Sequence, residues 1–225
     1  MAFSPSTLDF LVENRLRDSR DWYKEHKDQY NLLVLEPLMD FVNSLTPVML
    51  DIDPQFITEP RVDRTISRIY RDTRFSKDKS LYRDNMWVVF MREKKLYGGL
   101  PAFYFDLNPN GFSYGMGYYQ ASTATMEALR RLIIKNDPSF KKAERALRNQ
   151  DLFVLEGDAY KRSKYPDAPA PLREWLDKKS VSFNCHSTDS DLLFSDGLTE
   201  VLAEGYRLLA PVYDFLCYAE GQKKG

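Results

Sequence analysis

Between Arg68 and Asp84 the chain reads Arg-Ile-Tyr-Arg-Asp-Thr-Arg-Phe-Ser-Lys-Asp-Lys-Ser-Leu-Tyr-Arg-Asp. Six cations and three carboxylates alternate there with two tyrosines and one phenylalanine. The run has neither the period of an amphipathic helix nor that of a half-buried strand, so it reads as a loop built on charge pairs. Its chemistry is anion recognition. A guanidinium is planar and presents a fork of N–H donors that matches phosphate or carboxylate. A carboxylate beside several guanidinium groups stays ionised and fixes their geometry. Asp72 and Asp78 are placed to orient one cation each, with Asp84 at the far end. The candidate ligand-binding set is Arg68, Arg71, Asp72, Arg74, Lys77, Asp78, Lys79 and Tyr82, with Tyr70 a further phenolic donor. Phe75, alone inside the polar run, reads as an anchor that plugs the loop onto the core. No general acid or base stands out, and no cofactor is named.

The wider charge pattern makes this a local feature. From Arg61 to Arg83 there are eight Lys/Arg and three Asp, a net of +5 in a chain whose total is −1, so the remainder carries −6. That asymmetry favours a focused anion site over an extended nucleic-acid surface. A second, smaller basic cluster is Lys161-Arg162-Ser163-Lys164. Together with the tyrosines it keeps a nucleic-acid-binding module as an alternative. An interaction scaffold whose charged loop is only structural is the other.

Remaining candidates are weaker. His26 falls on an apolar helical face and reads as a hydrogen-bonded boundary residue. His186 adjoins Cys185, but neighbours on a strand point to opposite faces, which argues against a Cys–His pair. Ser163 and Ser187 lack the surroundings of a hydrolase serine. Gly98-Gly99 and Gly115-Met116-Gly117 lack the helix that a phosphate-binding glycine loop requires. No metal-ligand spacing is present. Cys185 and Cys217 lie in no redox spacing, which suits a reducing cytosol. With no basic-then-apolar leader and no apolar run approaching bilayer length, the sequence reads as a cytoplasmic protein without a membrane segment.

Ordinary composition, with 43% hydrophobic and 29% charged residues over 225 positions, fits one globular domain spanning 1–225. Ser4-Pro5 opens a first helix. Asp18 reads as the N-cap of a second, which carries Trp22, His26, Tyr30, Leu33 and Val34 on one side. Pro37 kinks that helix or starts another, and Leu38, Phe41, Val42, Leu45 and Met49 continue the stripe. Thr65 to Tyr70 suggests a strand. Met86-Trp87-Val88-Val89-Phe90-Met91 has the unbroken apolar character of a strand buried on both faces. Phe103 to Leu107 and Phe112 to Tyr118 alternate around Asn108-Pro109-Asn110-Gly111, a hairpin signal. Gly115 and Gly117 on the return strand permit close approach of another element or a ligand. Helices follow from Ser122, Asp137 and about Pro171, then a strand over Val181–Cys185 and a long last helix. The fold class is α+β: a mainly antiparallel sheet with a central hairpin, packed by N-terminal and C-terminal helices.

These residues resemble a family. Arg68-Ile-Tyr-Arg-Asp-Thr-Arg-Phe-Ser-Lys-Asp-Lys-Ser resembles the hallmark of the domain of unknown function 2461 family, bacterial conserved hypothetical proteins. Arg20-Asp21-Trp22-Tyr23 with Lys27 and Tyr30 resembles its second motif, and Tyr104, Pro109, Gly111 and Gly117 its hairpin. Two departures stand out. Arg17-Asp18 replaces asparagines, and Leu81 occupies the place of a proline, whose loss is expected to loosen the loop. The resemblance implies an α+β domain and brings no established activity. The sequence therefore supports a cleft for an anionic small molecule, phosphorylated or carboxylated. If it catalyses a reaction, phosphate-ester or nucleotide chemistry is the class that fits.

Overall fold

The computed structural model describes residues 3–93 and 99–223; Gly98 of the glycine pair lies outside them. A helical layer covers one face of a five-stranded antiparallel sheet. The helices are α1 (Pro5–Arg17), α2 (Arg20–Glu25), α3 (Lys27–Tyr30), α4 (Glu36–Ile52), α5 (Thr123–Ile134), α6 (Pro138–Arg148), α7 (Ala170–Leu176), α8 (Ser190–Leu193) and α9 (Leu198–Gly221). The strands are β1 (Met86–Phe90), β2 (Ala102–Asn108), β3 (Gly111–Gly117), β4 (Val154–Glu156) and β5 (Ser182–Ser187), in the order β1-β2-β3-β5-β4. Every neighbouring pair is antiparallel.

Several ends form as the local residues dictate. Extended Ser4 precedes α1, with Pro5 in its first turn. Ser122 accepts from the Thr125 N–H, and Asp137 accepts from that of Ser139. Asp18 departs from expectation. It is the left-handed C-cap of α1 (φ 45°), and Ser19 caps α2 by accepting from the Trp22 N–H. A π-turn over Asn31–Leu35 widens the helix just before Pro37, whose missing N–H then leaves the helix unbroken. The resulting run Lys27–Ile52 is long and apolar enough to cross a membrane by length and composition only, a test that a buried core helix also passes. Its Val34, Leu38, Phe41, Val42, Leu45 and Met49 are buried in the core.

The core lies between the helices and one sheet face. Phe3 stacks there on Phe105 and Phe41 packs tilted against both, while Phe103 meets Tyr206 and Tyr213 of α9. Gly205 of α9 is required by this packing: a Cβ there would sit 2.9 Å from the Tyr114 ring. Strand β1 corrects the reading of a doubly buried strand. Met86, Val88 and Phe90 are fully buried, but Trp87 and Val89 point to the opposite face and stay half-exposed. No strand forms over Thr65 to Tyr70. That segment makes only short bridges, with Ser67 N–H to Trp87 O and Val89 N–H to Thr65 O, before the charged loop turns it away.

Candidate functional site

The charged loop leaves the outer edge of β1 and returns to it, which places its arginines beside the uncovered sheet face. Arg64, Arg68, Arg71, Arg74 and Arg83 line a cleft of about 760 Å³, with Asp63 and Asp72 as its two carboxylates. Tyr70 and Trp87 complete the wall. Five cations face two acids in the lining, but Glu59, 3.1 Å from Arg64 Nε, and Asp78, paired with Arg71, offset two of them from outside it, so the excess rests on Arg83.

The arginines are held in different ways. Arg74 grips Asp72 through Nε and Nη2 at 3.0 and 2.7 Å. That guanidinium holds the Asp72 carboxyl down at about 2. Arg68 Nε donates to Asp63 at 2.6 Å. Arg71 donates to Asp78 and to Ser80 Oγ, and Arg15 of α1 donates to the same Asp78 oxygen at 2.8 Å. Asp78 also accepts from the Ser80 hydroxyl and N–H, and these bonds, with the Arg71 and Arg15 contacts, hold its carboxyl far below the usual range. Arg83 differs. Its guanidinium lies 4.5 Å from the centre of the Trp87 ring, Nε donates to Tyr70 O at 3.3 Å, and no carboxylate is within ion-pair distance among the described residues. Burial, and then the Arg71 charge, lower its pKa from the ordinary value. The more distant Asp72 and Asp106 charges act the other way. An arginine stays protonated in any case, so Arg83 brings to the wall a charge that no carboxylate contacts directly among the described residues.

The candidate set divides. Arg68, Arg71, Asp72 and Arg74 line the cleft. Lys77, Asp78, Lys79 and Tyr82 do not. Lys79 Nζ turns back to the Thr73 carbonyl at 2.8 Å. Asp78 supports Arg71 from behind. Tyr82 is fully buried among Tyr23 and Tyr70 and offers no hydroxyl to the cleft. Phe75 is 94% exposed at the loop tip, so it anchors nothing; its ring centre lies 5.9 Å from the Arg74 guanidinium carbon instead of in the core. The loop is fastened instead through Arg15, Asp18 and the buried Tyr82. Arg64, Arg83 and Trp87 were not singled out from the sequence. Arg83 was legible as charge but not as position, because its place depends on which face Trp87 takes.

Beyond Trp87 the open face continues as a second cleft of about 480 Å³. Trp87 and Val89 line both. Asp106, Tyr104, Ser113 and Asn184 form its floor. Gly115 and Gly117 resolve the question they posed: a Cβ at Gly115 would fall 2.0 Å from the Phe183 carbonyl, and one at Gly117 2.5 Å from Ser182 Cα, so β5 is the element that approaches. Both histidines have partners. His26 Nδ1 lies 2.8 Å from Trp22 O, with its ring stacked on Trp22, and His186 Nε2 lies 3.1 Å from Glu156 Oε1.

Residues 6–215 match the family described as Conserved hypothetical protein (DUF2461). The chain belongs to that family. No curated protein and no solved structure matches it. Two positions singled out in the sequence meet in space: the Leu81 N–H, which a proline would lack, donates to Asp18 Oδ1 at 2.6 Å. The expected loosening of the loop is thereby offset by a charge-assisted bond to the end of α1.

Proposed function

We propose that this member of the family binds an anionic small molecule, phosphorylated or carboxylated, in the arginine cleft. The observation that carries the reading is Arg83, a cation with no direct carboxylate contact among the described residues, on a wall shared with four more arginines. Asp63, Asp72 and Asp78 each engage only part of a guanidinium fork and orient it. A bound phosphate would accept from the remaining N–H groups and compensate the excess charge. Because these donors are held before the ligand arrives, little side-chain freedom would be lost on binding. Any catalysis would use the same groups to stabilise developing negative charge on a phosphoryl or carboxyl oxygen.

A purely structural network is the second reading, favoured by the pairing of Arg64, Arg68, Arg71 and Arg74 with acids. A nucleic-acid surface fits less well. The second basic cluster follows β4, at the opposite edge of the sheet, and the face between carries Asp106 and Glu156. Calorimetric titration with inorganic phosphate separates these readings. The anion site gives saturable binding that Arg71→Met and Arg74→Met weaken without unfolding the protein. A structural network gives no binding and a lower melting temperature in the same variants. A nucleic-acid surface gives oligonucleotide affinity that falls steeply with salt.

A further inference from the structure

The open sheet face beyond Trp87 has an organised set of polar groups that the arginine wall does not use. Strand register builds it. Trp87 pairs with Asp106, Asp106 with Ser113, and Ser113 with His186, so these side chains share one face in a row across four strands. The next row runs Val89, Tyr104, Gly115, Asn184. Alanine, serine and glycine at positions 102, 113, 115, 117 and 182 keep the floor low, which leaves the cleft beside the arginines unfilled.

The floor groups are held from the side. Asn85 Nδ2 donates to Asp106 Oδ2 at 2.8 Å and Asn108 Nδ2 to Oδ1 at 3.1 Å. The Tyr104 hydroxyl donates to Asn184 Oδ1 at 3.0 Å, and Asn184 Nδ2 donates to Glu156 Oε2 at 2.7 Å. Burial pushes the Tyr104 phenol up to about 12, so it remains a donor to Asn184 at neutral pH. Each Asp106 oxygen has a lone pair to spare, as does the Tyr104 oxygen, and the Ser113 hydroxyl can accept as well. This is an acceptor-rich floor. It suits a ligand body that brings hydroxyl donors.

Resting on the anion-binding reading, we infer that the two clefts are one site and that its ligand is a phosphomonoester of a polyhydroxylated body, an aldose phosphate in chemical class. The phosphate lies on the arginine wall and the hydroxyls lie over Asp106, Tyr104 and Ser113. Trp87 forms the ridge between the halves. One face of its ring already carries the Arg83 guanidinium, so a nucleobase stacking there would have to displace a cation.

The test is calorimetric titration of the full chain with inorganic phosphate, a panel of pentose and hexose phosphates, the same aldoses without phosphate, and nucleoside monophosphates. At least one aldose phosphate is expected to bind ~10-fold or more tightly than inorganic phosphate. Asp106→Ala should abolish that advantage, read as the ratio of aldose phosphate to inorganic phosphate affinity on the same variant, because the Asp106 charge also acts on Arg83. Tyr104→Phe, which removes one oxygen, serves the same purpose if the first variant does not fold. Phosphate binding with no aldose phosphate tighter than phosphate itself would overturn the inference and leave the anion site standing. A nucleoside monophosphate binding more tightly than every aldose phosphate, or an advantage that survives both variants, would overturn it too. Absence of binding by phosphate and by the whole panel would end both readings.

Discussion

Replacing Arg83 with methionine removes a guanidinium while keeping an apolar stem of similar reach. In the folded protein Arg83 has two contacts to lose, the Trp87 ring at 4.5 Å and a long hydrogen bond to Tyr70 O at 3.3 Å. A cation over an aromatic face contributes about 0.5–2 kcal/mol. Removing it relieves the repulsion from Arg71 and gives up the attraction of Asp72 and Asp106, charge effects that oppose one another. The net cost to folding should therefore stay near 1 kcal/mol, a fall of roughly 2–4 °C in melting temperature for a chain of this size. Ligand binding should suffer more. A hydrogen bond to a charged group contributes about 1.5–3 kcal/mol, which weakens phosphate binding by about 10- to 150-fold. Thermal denaturation and calorimetric titration with inorganic phosphate measure the two quantities on one sample. Phosphate affinity equal to that of the parent protein would refute the reasoning, as would a loss of stability large enough to prevent folding.

Three further perturbations test the surrounding account. Asn14 is fully buried with neither amide atom partnered among the described residues, so Asn14→Leu should stabilise the fold by about 1–3 kcal/mol; a lower melting temperature would mean that internal water satisfies the amide. Asp72 titrates at about 2 because Arg74 holds it ionised. Its folded value lies below the unfolded one of about 3.9, so the pair's contribution is complete above about pH 4 and is lost as pH falls through the folded value. A carboxyl carbon NMR titration should place the midpoint near the lower figure, and a midpoint at the unfolded value would show that the pair does not form. Phe75→Ser should change stability by less than about 0.5 kcal/mol, whereas a drop of several degrees in melting temperature would restore the anchoring role that the sequence suggested.

The contrast between Phe75 and Tyr82 shows which parts of the site were legible. Both are aromatic residues in one polar run, and nothing local distinguishes them. Tyr82 is buried because the chain bridges back to Tyr70 and lies under Tyr23, contacts made with an element far away in sequence. The hairpin could be read because alternation and turn chemistry act within a dozen residues. The same holds for the caps at Ser4, Ser122 and Asp137. Strand β1 could not be read correctly. An apolar run is equally compatible with one covered face or two, and only the helical layer decides which. That decision exposes Trp87 and Val89, and with them the junction of the two clefts. The floor was hidden for a related reason. Tyr104, Asp106, Ser113 and Asn184 come from three strands, and only the register of β2, β3 and β5 makes them neighbours.

The account depends on an anion occupying the arginine cleft. Diffraction from crystals soaked in tungstate, an electron-dense analogue of phosphate, tests this directly. The expected result is an anomalous peak within hydrogen-bond distance of Arg71, Arg74 or Arg83. Tungstate bound elsewhere on the protein, with the cleft between those three arginines empty, would contradict it.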